Sequence, residues 1–318
     1  MLQRWLHLWL LLCSAVAYFW PQLGGTLPDP FLATKGWLSV MISGVMFCVG
    51  CLLPRDEVLL VGKRWPTILS GTAVQYLSMP FLGWAVGKML RLPEDQYIGL
   101  MLAACVPGAM ASNVITMTAK GNVSFSVGLT TMATLLCPLV TPLMLRLTLG
   151  DFASTSLLRS TSVQLLREVV LPVFVGFAVC QEWPQFGLRV RGPAATIANL
   201  TIIWLIATFV AIGRDKFAQT TAVLLLALGL VNVGGYLAGY WGGRLLRFDE
   251  AMSRALMIEV GMQNAGLGAK LAGDLFPDKP GVTVPCTLYA FLCVCSATML
   301  ARWIAGRPDS TTEAPPAG

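Results

Sequence analysis

Charged residues cut the chain into long uncharged, mostly apolar runs, and the lengths of those runs predict helices that cross a bilayer. Eight runs are long enough: 5–28, 36–54, 65–87, 96–119, 121–145, 192–213, 217–243 and 280–301. The hydrocarbon core of a bilayer asks for roughly 17–25 residues of helix. Two further apolar segments carry charge inside them: 160–181 holds Arg167 and Glu168, and 255–273 holds Glu259 and Lys270. Together they predict an all-α integral membrane protein of ten transmembrane helices. Ten is even, so both termini are expected on one side. The first run follows Arg4 and lacks a small-x-small cleavage site, so it reads as a retained helix rather than a leader.

The chain also resembles itself. Residues 83–95, GWAVGKMLRLPED, match 239–251, GYWGGRLLRFDEA, at an offset of 156. Upstream, each copy has one amide, Gln75 and Asn232. One helix later, SNVITMTAK at 112–120 meets QNAGLGAKL at 263–271, at an offset of 151. The expected layout is a five-helix repeat over 1–156 and a second over 157–304, with a disordered polar tail at 305–318. Five is odd, so the second copy is inverted. Inverted repeats with interrupted helices at matching positions point to a secondary transporter whose site lies near the midplane.

Composition narrows the function. Charged residues make up 12% of the chain against about 25% in a soluble domain. The net charge of +6 forms no basic stripe, which argues against a nucleic-acid partner. Nine cysteines lie inside the predicted helices, and Cys48-Val-Gly-Cys51 reads as packing rather than redox chemistry. His7 is the single histidine, so a zinc cluster is not expected, and no phosphate-binding Gly-x-x-x-x-Gly-Lys-Ser/Thr loop occurs. No cofactor is predicted. Cytoplasmic termini would leave 12 of the 22 lysines and arginines on the cytoplasmic side, a small excess in that direction.

The candidate chemistry gathers at two helix breaks. Pro107-Gly108 interrupts the fourth predicted helix, because proline removes a backbone donor and glycine permits unwinding. Gly261 stands at the equivalent depth of the ninth. Freed carbonyls and helix C-termini favour cations, and helix N-termini favour anions. Ser112, Asn113, Glu259, Gln263 and Asn264 lie at or beside these breaks. Ser126 and Thr130, four apart on one face of the fifth helix, add hydroxyls, and Gln75 adds an amide oxygen. Such hard oxygen ligands suit Na+. Ser124, Thr131 and Thr134 read as packing residues. An acid at the bilayer centre costs about 2.5–3.5 kcal/mol on insertion scales, which marks Glu259 as functional. Glu168, beside Arg167 near a helix start, is expected to snorkel to the interface.

The segment PGAMASNVITMTAKGNVSFSV at 107–127, Thr141-Pro142 and IEVGMQNAG at 258–266 together resemble the bacterial branch of the bile acid:sodium symporter family, over about residues 35–304. The resemblance implies a core domain (helices 3–5 and 8–10) and a panel domain (helices 1, 2, 6 and 7), with helices 4 and 9 broken and crossing. It implies one sodium site at Ser112, Asn113, Ser126, Thr130 and Glu259. A second would use Gln75, Glu259, Gln263 and the carbonyls of Val260 and Met262. Met110, Asn113 and Asn264 would face substrate. The chain departs from the family pattern at Met110, often Thr, at Ala265, often Ser, and at Leu292-Cys293-Val294, often Trp-His-Asn.

The resulting expectation is a non-enzymatic, monomeric symporter in a bacterial inner membrane. It takes up an organic anion with Na+ by alternating access. A small keto or hydroxy acid such as ketopantoate or pantoate is preferred over a bile acid. Proton coupling through Glu259 and a membrane ligand sensor are the alternatives.

Overall fold

The computed structural model describes residues 6–218 and 220–306. Sixteen α-helices follow in chain order. They are α1 (Leu6–Leu23), α2 (Pro30–Ala33), α3 (Leu38–Leu52), α4 (Arg55–Lys63), α5 (Trp65–Met89), α6 (Glu94–Cys105), α7 (Ala111–Thr118) and α8 (Val123–Leu149). Then come α9 (Thr155–Leu165), α10 (Leu171–Glu182), α11 (Pro184–Ile212), α12 (Arg214–Phe217), α13 (Ala222–Leu245), α14 (Glu250–Gly261), α15 (Ala265–Leu275) and α16 (Thr283–Ala305). A π-helical turn, Leu166–Val170, joins α9 to α10. Among the described residues there is no strand, only one isolated bridge. Arg4 and the tail beyond 306 lie outside the described residues.

Among the described residues, six helical stretches are long and apolar enough to cross a membrane: Lys35–Leu52, Val123–Leu149, Thr155–Glu182, Pro184–Ile212, Ala222–Leu245 and Pro280–Ala305. The fourth and ninth predicted runs are each split, into α6 with α7 and α14 with α15, and no half is long enough to span alone. Leu139, Phe174, Leu188 and Trp241 stand exposed on the outer surface, which hydrocarbon solvates and water would not.

The repeated motif folds twice into the same helix end. At the end of α5, Leu92 N–H reaches Gly87 O at 3.0 Å and Arg91 N–H reaches Lys88 O at 3.2 Å. At the end of α13, Phe248 N–H reaches Gly243 O at 2.9 Å and Arg247 N–H reaches Arg244 O at 3.0 Å. Both are Schellman ends, with Arg91 (φ 50°) and Arg247 (φ 59°) in the left-handed position that glycine usually fills. The paired glycines serve packing. A methyl on Gly83 or Gly87 would press on Met101 and Tyr97 of α6, and one on Gly239 or Gly243 would press on Leu256 and Ser253 of α14. Small residues four apart let each helix lie close against its successor.

Two polar residues differ from expectation. Glu168 does not snorkel outward. It is 4% exposed, and its carboxylate lies 3.2 Å from the Lys270 ammonium, itself buried on α15. Lys270 also pairs with Asp274, and Gln164 donates to both carboxylates. The π-helical turn widens the helix at this position, and the partner comes from a remote element. Arg167 alone is solvent-facing, with its side chain 74% exposed. Ser124 is likewise no mere packing residue, since its hydroxyl donates to the Glu57 carboxylate of α4.

Candidate functional site

α6 ends at Cys105 because Pro107 has no N–H to continue the ladder. Thr141 of α8 donates to the Cys105 carbonyl at 2.8 Å, supplying one of the lost bonds. Val106 is extended, and the helix restarts as α7 after Met110. α14 ends at Gly261, Met262 is extended, and Asn264 caps α15 by accepting from Leu267 N–H at 3.2 Å. The two breaks satisfy each other. Ala109 N–H donates to Met262 O at 2.9 Å and Asn264 N–H to Pro107 O at 2.8 Å, forming an antiparallel bridge between Gly108 and Gln263. The exposed backbone of each break is therefore buried in protein, the condition under which breaks persist in lipid.

Glu259 sits beside this crossing with no solvent exposure. Its carboxylate accepts from Ser112 Oγ at 2.5 Å, Thr130 Oγ1 at 2.6 Å and Ser126 Oγ at 3.5 Å. Two helices, α7 and α8, thus bring three hydroxyls to one carboxylate on α14. The described residues place no lysine or arginine in an ion pair with it. On the other side of Gly108, Gln75 Nε2 lies 3.4 Å from Gln263 Oε1, and Gln263 Nε2 donates to Val260 O at 2.7 Å. Two oxygens at this place, Gln75 Oε1 and Asn113 Oδ1, are buried and have no donor. Burying an acceptor without a donor is costly. A carboxylate without a cation and amide oxygens without donors form a donor set that fits a small hard cation.

A model of the SBF-like CPA transporter family matches residues 4–306. The chain belongs to this family, that of the bile acid:sodium symporters. It is 32% identical over 282 residues to the uncharacterized sodium-dependent transporter YocS of Bacillus subtilis, covering 88% of this chain and 87% of that one. It is also 32% identical to the probable sodium/metabolite cotransporter BASS1, chloroplastic, of Arabidopsis thaliana, covering 85% and 68% of the two chains. With the hepatic sodium/bile acid cotransporter of Homo sapiens it shares 24% over 80% and 76%. These relatives are transporters and cotransporters, and this member of the symporter family is a transporter rather than an enzyme.

Within this family member the expected residues gather unevenly. Ser112, Ser126 and Thr130 touch Glu259, while Asn113 stands next to Ser112 with its oxygen unpartnered. Gln75, Gln263 and Val260 form a chain of contacts, and the Met262 carbonyl holds Ala109. Met110 and Asn264 are half-buried and flank the crossing, each at the start of a half-helix. Thr116 escaped the reading of the chain. Its hydroxyl lies 3.3 Å from Ser126 Oγ, and its position four residues after Ser112 on α7 was the available signal.

Gly261 is required sterically. A methyl there would lie 2.1 Å from the Tyr236 ring of α13. Gly261→Ala is expected to lower the melting temperature by several degrees, at a cost of about 1–3 kcal/mol for an overpacked core. Differential scanning fluorimetry in detergent checks this, and unchanged melting would show that the ring yields.

Proposed function

We propose that this protein is a sodium-coupled importer of an organic carboxylate. The observation that carries this reading is the fully buried Glu259 ringed by Ser112, Ser126 and Thr130, without a cationic partner among the described residues. One sodium ion is held by Ser112, Asn113, Ser126, Thr130 and Glu259. A second is held by Gln75, Glu259, Gln263 and the carbonyls of Val260 and Met262. The unpartnered Gln75 Oε1 and Asn113 Oδ1 support the two sites. The hydrogen bonds already made by the two carbonyls do not oppose it, because a carbonyl has two lone pairs.

Two cations on one carboxylate leave surplus positive charge, which suits an anion docked near Met110, Asn113 and Asn264. A small keto or hydroxy acid fits this reading better than a bile acid. The chain crosses the membrane ten times as two inverted five-helix repeats. Core helices 3–5 and 8–10 move against panel helices 1, 2, 6 and 7. The matched ends of α5 and α13 support the repeat. A bacterial inner membrane with cytoplasmic termini is the setting, and the monomer is the working unit.

The test is thermal stability in NaCl against KCl at equal ionic strength, for wild type and Glu259→Ala. A ligand at a hundredfold its Kd adds about 2.7 kcal/mol to the folded state. A rise in NaCl that disappears in the variant is expected. Equal melting of the wild type in both salts would overturn sodium coupling. Uptake driven by a pH gradient without Na+ would then assign Glu259 as a proton carrier.

A further inference from the structure

The last carbonyl of α14, on Gly261, lies between the carbonyls of Val260 and Met262. In an unbroken helix it would accept from Ala265 N–H, four residues on. Here Ala265 N–H donates to Gln263 O at 2.8 Å instead. The orphaned Gly261 carbonyl is taken up by side chains from two other helices. Asn232 Nδ2 of α13 donates to it at 3.0 Å and Tyr289 Oη of α16 at 3.1 Å. Both residues are buried, at 1% exposure each.

These donors are themselves oriented. Ser296 Oγ of α16 donates to Asn232 Oδ1 at 2.8 Å, which fixes the amide with its nitrogen toward Gly261. Having given its proton to Asn232, Ser296 accepts from Tyr236 Oη of α13, also at 2.8 Å. The result is a directed chain: Tyr236 to Ser296, Ser296 to Asn232, and Asn232 with Tyr289 to the Gly261 carbonyl. It ties the unwound turn of α14 to α13 and α16.

We propose that Asn232 and Tyr289 are positioning residues for cation binding, an inference that rests on the sodium reading above. Two donors on one carbonyl hold the peptide planes of residues 260–262 in a single setting. The carbonyls of Val260 and Met262 then keep the spacing that an ion requires. Without the donors the turn is free to rotate about Gly261, and each ion-facing carbonyl is reached only in part of the population. Ser296 and Tyr236 act one step further back, by orienting Asn232.

Outer hydrogen bonds that orient ligands typically change metal affinity by about 10–100-fold when removed. The experiment uses the purified full chain, with NaCl as the probe and KCl holding ionic strength constant. The half-saturating Na+ concentration for thermal stabilisation is read for wild type, Tyr289→Phe, Asn232→Leu and Ser296→Ala. Tyr289→Phe keeps the ring and its packing and removes only the donor. The expected result is a roughly 10-fold rise in half-saturating Na+ for Tyr289→Phe and Asn232→Leu, and a smaller rise for Ser296→Ala. Melting in KCl alone should move little by comparison. Variants that melt lower in both salts, with the wild-type Na+ midpoint, would show a merely structural role and overturn the proposal. If Asn232→Leu does not fold, Tyr289→Phe and Ser296→Ala decide. A wild type with no Na+ response overturns the sodium reading itself. A responsive wild type with unchanged variants overturns only the positioning role.

Discussion

Lys270→Met is expected to lower the melting temperature of the purified protein by about 10 °C, and adding Glu168→Met to restore most of it. The ammonium of Lys270 is almost fully buried and lies 3.2 Å from Glu168, whose side chain is 5% exposed. Removing one member of such a pair leaves the other buried and poorly compensated, and costs about 3–5 kcal/mol. The Gln164 amide carries no charge, and Arg167, which pairs with Glu168 at 3.4 Å, is 74% exposed, so solvent screens it and it replaces Lys270 only in part. Asp274 is 39% exposed and keeps its solvation, so the loss falls on Glu168. Exchanging both charges for apolar side chains of similar volume removes the penalty. Fluorimetry on the two variants checks this. A single variant melting like wild type, or a double variant no better than the single, would refute it.

The second large effect belongs to Gly108. Its α-carbon is wedged between Glu259 and Gln75, and a methyl there would lie 2.1 Å from Glu259 Oε1 and 3.4 Å from Gln75 Nε2. The carboxylate has little room to retreat, because Ser112 and Thr130 hold it at 2.5 and 2.6 Å. Gly108→Ala is therefore expected to eliminate Na+-dependent stabilisation, a loss of at least about 100-fold in apparent affinity. Melting in KCl should fall by no more than the about 1–3 kcal/mol of an overpacked site. Titration of NaCl against melting temperature measures both. A wild-type Na+ midpoint in the variant would mean that the carboxylate does not occupy the proposed place when the ion binds.

Much of this arrangement was readable along the chain. Glu259 announces itself because a carboxylate in an uncharged run is expensive in lipid. Ser126 and Thr130 share a face because four residues make about one helical turn. Pro107-Gly108 marks a break because the helix cannot donate there. The doubled Gly-x-x-x-Gly motif marks two helix ends, and both ends fold alike. These are local rules that depend only on a residue and its near neighbours in sequence.

What sequence order alone left undecided concerns partners brought together from distant segments. Lys270 and Glu168 are 102 positions apart. Each reads as an isolated charge until the π-helical turn and α15 meet. Tyr289 carries no mark of its own in an apolar helix, and only the loss of the Ala265 donor makes the Gly261 carbonyl available to it. Asn232 was visible as an amide in the repeat, but nothing local says that it serves a carbonyl 29 residues away. A hydrogen bond or ion pair becomes favourable only where burial has removed water as the competing partner. Burial is a property of the packed helices, which is why the chain fixed the chemistry available and the tertiary structure decided which groups meet.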